Sequence, residues 1–177
     1  MKALIITWTN FQDQELVYPY YRLREEMPEK DVVIMSDVVG RFHGIMGVNM
    51  ESHVTTKELD NSDKYKKYLE EFNLLVLPGG VKSLEKLRQE KNVIRFISDW
   101  NANSKVIAST CHGAQLMISA NILKGKKATG YYSIKDDINN SGATYVNEPV
   151  VIDKNIVSSP HYNFMGEWMK AAIDLIK

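Results

Sequence analysis

Four short apolar runs of strand length recur along the chain, and stretches with helical spacing lie between them. The runs are at residues 3–7, 32–35, 74–77 and 106–108, and none of them alternates polar with apolar residues. Continuous runs of this kind are typical of strands covered on both faces, as in a parallel sheet between layers of helices. The pattern therefore predicts an α/β sandwich built from right-handed βαβ units.

Amphipathic spacing predicts the helices that cover this sheet. Residues 15–27 and 93–100 carry apolar side chains at near-helical spacing, and residues 164–176 form a closing amphipathic helix. Residues 40–56 interrupt this alternation with glycines and short β-forming pieces, which predicts a hairpin or a small excursion at the sheet edge.

Further short strands are predicted late in the chain, at residues 144–146, 150–153 and 156–158, with polar turns between them. No internal repeat, low-complexity tract or linker interrupts the pattern. The length of 177 residues is enough for one domain with a full core and too short for two typical ones. We therefore expect a single domain, residues 1–177.

Composition and charge narrow the possible partners. Hydrophobic residues make up 44% and charged residues 25%, which is typical of an ordinary globular protein. Lys plus Arg equals Asp plus Glu at 22 each, so nothing in the charge favours nucleic acid or an anionic membrane as a partner. The first apolar run is too short for a signal peptide or a membrane span, which predicts a cytoplasmic location.

Cys111 is the only cysteine of the chain, and it lies between an apolar run and a helical stretch. Ser109 and Gly113 are small neighbours, as a sharp nucleophile elbow requires. A helix at residues 112–120 would direct its N-terminal amides at the sulfur and favour the thiolate. The alternative is that the cysteine is buried as a small hydrophobic side chain, which is the commoner use of a lone cysteine.

Other candidate segments follow the ends of the predicted strands, where ligands of doubly wound sheets bind. They are residues 8–15, 78–80 and 111–112. Gly79 and Gly80 form a pair that lets backbone N–H groups approach a substrate oxygen closely, although such pairs are most often plain turns.

Several pieces in order and spacing resemble the DJ-1/PfpI superfamily, specifically its intracellular-protease-like branch, and they cover nearly the whole chain. They are residues 15–23, 77–80, 111–115, 123–127, 134–138, 142–143 and 157–159. The resemblance implies a flavodoxin-like three-layer sandwich with a mostly parallel sheet and a nucleophile elbow. It also implies a homodimer or a larger homo-oligomer.

The resemblance assigns a role to each matching position. Cys111 is the nucleophile, and Glu15 is a protonated glutamate that lies against its sulfur. From the residues alone, Glu15 would instead be interpreted as an exposed residue in the first turn of a helix. His112 is a general base, oriented by Glu85 from a neighbouring subunit, in a segment one residue longer than usual. The backbone N–H groups of Gly80, with its neighbour Gly79, and of His112 form an oxyanion hole.

Two further residues are expected at the wall of the substrate pocket. Tyr131 matches a tyrosine of this branch near the cysteine, and His161 follows the end of the last predicted strand. The chain departs from the family at Thr110 and at residues 159–162, where relatives carry an arginine-containing segment. His161 is alternatively a surface or structural histidine, and His43 and His53 have no metal ligands at suitable spacing.

These features together predict a cysteine-dependent hydrolase or lyase that acts on peptides or on small reactive carbonyls such as glyoxals. Neither a cofactor nor a metal is expected. The first alternative is a stress-response or redox-sensing protein in which Cys111 is oxidised without turnover. The second is a structural or partner-binding domain with an inert cysteine.

Overall fold

The computed structural model describes residues 1–177, which form eleven strands and seven α-helices. The strands are β1 (Ala3–Ile6), β2 (Val32–Ser36), β3 (Gly40–His43), β4 (Asn49–Ser52), β5 (Val54–Thr55), β6 (Leu74–Leu77), β7 (Val106–Thr110), β8 (Lys127–Ala128), β9 (Thr144–Tyr145), β10 (Val151–Asp153) and β11 (Ile156–Ser159). The helices are α1 (Asp13–Arg24), α2 (Ser62–Glu71), α3 (Val81–Leu87), α4 (Lys91–Ala102), α5 (Ala114–Ser119), α6 (Lys135–Asn140) and α7 (Met165–Ile176).

Seven strands form the central sheet in the order β10-β11-β7-β6-β1-β2-β5. All neighbours are parallel except β10, which pairs antiparallel with β11. The four apolar runs of the sequence are the strands β1, β2, β6 and β7, as predicted. Because these strands are parallel, their carboxyl ends lie on the same side of the sheet, and the segments after β1, β6 and β7 come together there.

The sheet is covered on both faces, which explains why its strands are apolar throughout. Within β1, Leu4 and Ile6 face a core shared with α2 to α6, whereas Ala3 and Ile5 face a core shared with α1 and α7. All four side chains are fully buried. The arrangement is the predicted three-layer α/β sandwich with a mostly parallel sheet.

The predicted edge hairpin is formed by β3 and β4, and β5 then adds to the sheet beside β2. The loop between β3 and β4 is attached to α1 by the buried Asp13, whose carboxylate accepts hydrogen bonds from the backbone N–H groups of Met46 and Val48 at 2.8 Å each. Gly44 lies against the same carboxylate, because an added Cβ would be 2.5 Å from it. No helix in the fold has the length and apolar character that a membrane span needs.

Candidate active site

Cys111 occupies a sharp turn directly after β7. Its φ is +56°, a left-handed conformation that non-glycine residues rarely adopt. A 3₁₀ turn over Cys111–Gly113 follows, so α5 begins at Ala114 and not at His112 as the sequence suggested. Gly113 closes the turn, since an added Cβ would lie 2.2 Å from the Leu77 carbonyl oxygen. The backbone is thus that of a nucleophile elbow.

Glu15 points inward from the first turn of α1 and is fully buried. The Gly79 N–H donates to its Oε2 at 2.7 Å, and Oε1 has no nitrogen or oxygen partner. A Cβ on Gly79 would lie 2.3 Å from that Oε2 and 3.1 Å from the Cys111 sulfur, so one small space holds both groups. The reading of Glu15 as an exposed first-turn residue is therefore wrong.

Burial determines the protonation of this pair. It raises the pKa of Glu15 from 4.5 to about 7, against the lowering effect of the Gly79 N–H and of a hydrogen bond with Cys111. Burial also raises the pKa of the Cys111 thiol, and the negative charge of Glu15 raises it further. Burial and the Glu15 charge therefore outweigh the effect of the backbone amides, and the resting sulfur is a thiol and not the predicted thiolate.

Two backbone amides oppose this effect at the sulfur. The N–H groups of His112 and Gly80 both donate toward Cys111 and lower the pKa of its thiol. Gly80 reaches this position with a φ of +111°, and an added Cβ there would lie 2.6 Å from the Gln12 nitrogen. Gly79, also predicted as an oxyanion donor, uses its N–H for Glu15 instead.

His112 lies beside the sulfur, with Nδ1 3.3 Å from the Cys111 Sγ. Burial lowers the pKa of its imidazole, so the ring is neutral near pH 7 and able to accept a proton. The ring stacks on Tyr131 at a centroid distance of 4.9 Å and an interplanar angle of 27°. The sharp turn thus brings two consecutive side chains together, which a regular helix does not do.

The two predicted pocket residues lie on the outer side of His112. The Tyr131 N–H donates to the Cys111 carbonyl at 3.1 Å, which attaches this segment to the elbow. His161 stacks on Tyr131 at 6.1 Å and contacts the ring of Tyr162 at 3.8 Å. A row of rings therefore leads from His112 to the exposed Tyr132 and Tyr162, two residues that no sequence motif singled out.

Glu85 does not join this cluster within the chain. It is exposed on α3, its carbonyl accepts a hydrogen bond from Gln89, and no hydrogen bond connects it to His112. The chain also has no group of three or more His, Cys, Asp or Glu side chains that could hold a metal ion.

A separate groove of about 920 Å³ lies between α1, the β3–β4 loop and the start of α7. Cys111 does not line it. Its apolar lining is Val17, Tyr18, Tyr21, Met46, Val48, Tyr162 and Met165. Asp13, a buried carboxylate within the predicted segment 8–15, also lines it. Nothing in its local sequence distinguishes it from an ordinary acidic residue in the first turn of a helix.

Replacing Gly79 with alanine should destabilise the protein by about 1–3 kcal/mol, the usual cost of overpacking a filled site. The new Cβ would displace Glu15 or Cys111, so the expected loss includes turnover as well as stability. Urea unfolding measures the first and an activity assay the second. Gly166→Ala is the matched control, since its nearest contact would be the Tyr18 hydroxyl at 3.8 Å. Equal stability of the two variants would contradict the tight packing.

Replacing His161 with alanine should raise KM about threefold to tenfold with little change in kcat. The variant removes one aromatic ring from the predicted pocket wall, and one stacking contact is worth about 0.5–1.5 kcal/mol. Steady-state kinetics separates the two parameters. His43→Ala is the control, since the side chain of this histidine is exposed on β3 and is not part of the row of stacked rings. A fall in kcat with unchanged KM would show that His161 acts in the chemical step and not at the pocket wall.

Comparison with known proteins agrees with this architecture. The family model described as "DJ-1/PfpI family" matches residues 1–175. The chain is 38% identical over 177 residues to "Deglycase PfpI" of Pyrococcus furiosus, covering 100% of both chains. It is 31% identical over 155 residues to "Protein/nucleic acid deglycase 2" of Escherichia coli, covering 87% of this chain and 84% of the relative.

The solved structure of Schizosaccharomyces pombe DJ-1 has the same fold. It superposes with a TM-score of 0.87 and 18% identity, over 100% of this chain and 92% of that one. The family match over almost the whole chain, the full-length match to the Pyrococcus relative and the observed elbow agree with one another. The chain belongs to the DJ-1/PfpI family.

Proposed function

We propose that the protein is a cysteine-dependent enzyme of the deglycase type, which acts on small reactive carbonyls and their adducts. The observation that carries the proposal is the buried pair of Cys111 and Glu15 with the His112 Nδ1 3.3 Å from the sulfur. The names of the two deglycase relatives support the same reaction class. A cytoplasmic location is part of the proposal, since a reducing compartment keeps a single thiol available.

The pair activates the sulfur by exchanging one proton. When the proton passes from Cys111 to Glu15, the pair carries one negative charge before and after the transfer, so no additional charge has to be buried. The neutral Glu15 carboxyl then becomes a hydrogen-bond donor beside the thiolate. A raised thiol pKa in the resting state is therefore compatible with a nucleophile that forms when substrate arrives.

For a glyoxal, the sulfur adds to the aldehyde carbon and forms a hemithioacetal, whose developing oxyanion meets the N–H groups of Gly80 and His112. The neutral His112 takes the proton from that carbon and returns it to the neighbouring carbon, which leaves a thioester. Water hydrolyses the thioester to a 2-hydroxy acid and restores the thiol. The net reaction adds one water to the glyoxal and needs no cofactor or metal.

The accessibility of the sulfur favours a small substrate over a folded polypeptide. Cys111 is only 8% exposed, and the rings of His112 and Tyr131 lie beside it. An aldehyde at the end of a flexible group can reach such an atom more easily than a main-chain amide. Peptide hydrolysis is therefore the less favoured branch of the proposal.

The proposal is tested by a panel of three substrates with the purified protein. Methylglyoxal, a methylglyoxal adduct of N-acetylarginine and a chromogenic peptide amide are each incubated with wild type and with Cys111→Ala. We expect turnover of the first two and none of the peptide, with all activity lost in the variant. Peptide hydrolysis alone would select the protease branch, and equal turnover by the variant would overturn the mechanism.

The homo-oligomer that the resemblance implies has a direct consequence for Glu85. If Glu85 orients His112 of a neighbouring copy, Cys111→Ala and Glu85→Ala chains should each be inactive and should regain activity when refolded together. The mixed assembly then pairs an intact Cys111 with an intact Glu85 across the interface. Activity assays before and after mixing check this, with Glu85→Gln as the conservative control. Full activity of Glu85→Ala alone would remove the residue from the site.

A second candidate function is redox sensing at Cys111. The specific observation is that Glu15, with its raised pKa, is able to hydrogen-bond a sulfinate oxygen next to it. Two equivalents of hydrogen peroxide would oxidise the thiol to sulfinate and release two waters. Mass spectrometry after mild peroxide treatment tests this. An unmodified Cys111 in a sample whose methionines are oxidised would exclude sensing.

A further inference from the structure

A second pocket, distinct from the Cys111 site, opens where the end of α3, the first turns of α4 and the end of α5 meet. Its volume is about 450 Å³, within the range of small-molecule sites. We name it the basic pocket, and it is lined by Arg88, Lys91, Ile94, Arg95, Ser98, Asp99, Ser119 and Ala120. Neither Cys111 nor any residue of its cluster contributes to it.

The basic pocket contains three cations that have no acidic partner. The chain forms eight ion pairs, and none of them involves Arg88, Lys91 or Arg95. Lys91 and Arg95 are four residues apart on α4, where like charges repel and cost stability. A bound anion would remove this repulsion.

The one carboxylate in the pocket is already engaged. Asp99 accepts the Tyr65 hydroxyl at 2.6 Å. Counting it in full, the lining still carries three positive charges against one negative charge. The excess of two matches the charge of a phosphate monoester near pH 7, about −1.5 to −2. A carboxylate ligand would neutralise only half of it.

Two of the three cations are held in position without a ligand. The Arg88 guanidinium donates to the Ser119 Oγ from Nε at 3.2 Å and from one terminal nitrogen at 3.0 Å. Arg95 lies over the Tyr65 ring, with its Cζ 4.8 Å from the centroid. Such anchoring reduces the entropy that binding has to overcome, and guanidinium groups match phosphate oxygens in a bidentate manner.

We propose that the basic pocket binds a small phosphate monoester. The phosphate would lie among Arg88, Lys91 and Arg95, with the Ser98 and Ser119 hydroxyls as further polar groups of the lining. The volume leaves room for a few carbon atoms beyond the phosphate, so a monoester fills it better than inorganic phosphate does. Nucleic acid is a poor fit, because the charge is confined to one pocket on a chain with a net charge of zero.

The proposal is tested by amide NMR on the full chain, with glycerol 3-phosphate, inorganic phosphate and sodium chloride as probes at constant ionic strength. We expect saturable shifts at residues 88–99 and at Ser119 with both phosphates, and tighter binding of the ester. If inorganic phosphate binds as tightly as glycerol 3-phosphate, the pocket recognises phosphate alone, and the assignment to a monoester is wrong. Shifts that are linear, or equal with chloride, would overturn the proposal.

Matched variants locate the site. Lys91→Gln with Arg95→Gln should raise Kd about tenfold or more, in line with the usual value of charged hydrogen bonds. Lys57→Gln is the control, because Lys57 is exposed outside the pocket, and it should leave Kd unchanged. If the double variant fails to fold, Lys91→Gln alone should still weaken binding. Equal weakening by Lys57→Gln would overturn the proposal.

Binding of a phosphate monoester in the basic pocket is independent of the proposed reaction at Cys111. A Cys111→Ala chain should bind glycerol 3-phosphate as tightly as wild type, since the residue does not line the basic pocket. Loss of binding in this variant would contradict a separate site. Absence of glyoxal turnover, by contrast, would leave the binding result untouched.

Discussion

Replacing Cys111 with alanine should lower kcat for methylglyoxal by about 10³-fold or more, while the fold remains intact. The reason is that the chain has no other cysteine, so no second thiol can replace the lost nucleophile. Removal of a nucleophile from a covalent mechanism has effects of this size or larger. Residual activity would reflect only what the remaining amides and His112 contribute.

The measurement compares initial rates of wild type, Cys111→Ala and Cys111→Ser under the same conditions. Serine keeps the size of the side chain but holds its proton far more tightly, so its rate should also collapse. Circular dichroism and thermal unfolding of each variant verify the fold. A rate for Cys111→Ser within tenfold of wild type would contradict nucleophilic attack by the sulfur.

Replacing Glu15 with glutamine should abolish a specific pH dependence of stability. In the folded chain burial raises the Glu15 pKa from 4.5 to about 7, so the native state binds an extra proton between these values. The stabilisation is complete below pH 4.5 and is lost as pH rises through 7. The shift corresponds to about 3 kcal/mol. Glutamine is neutral at every pH, so the free energy of unfolding of the Glu15→Gln variant should not fall in this way as pH rises.

The test is urea unfolding of wild type and Glu15→Gln at pH 5 and pH 8. Relative to wild type, the free energy of unfolding of the variant should rise by about 2.5 kcal/mol from pH 5 to pH 8, because most of the full effect falls within this interval. Glu85→Gln is the control, because this glutamate is exposed and its variant should track wild type. A constant difference between wild type and Glu15→Gln would mean that the buried carboxyl ionises at its ordinary pKa.

The Glu15→Gln variant should make the resting Cys111 sulfur more reactive and yet lower turnover. Loss of the negative charge should lower the Cys111 pKa and speed alkylation by iodoacetamide near pH 7, because that charge raises the thiol pKa. Turnover should nevertheless fall, since glutamine cannot accept the thiol proton. The single cysteine makes the labelling rate specific for this site. Parallel changes in alkylation and turnover would argue against proton exchange within the pair.

The sequence by itself determined the sheet and the position of the elbow. The strands β1, β2, β6 and β7 were evident because a parallel sheet covered on both faces leaves no polar position in its strands. The turn at Cys111 was evident from its place between a strand and a helix, with Gly113 behind it. Helix ends were predicted less well, as in α5, because the 3₁₀ turn at the elbow has no distinctive composition.

Only the tertiary structure decided what the site residues can do. Glu15 reads locally as an exposed first-turn residue, and its burial depends on Gly79, 64 residues away, whose missing Cβ leaves the space that it occupies. The stacking of His112, Tyr131 and His161 likewise joins three distant segments. Protonation depends on burial and on neighbouring charges, which are properties of the assembled chain. Local patterns therefore located Cys111 and its turn, whereas the chemical state of the thiol is set by contacts between segments far apart in sequence.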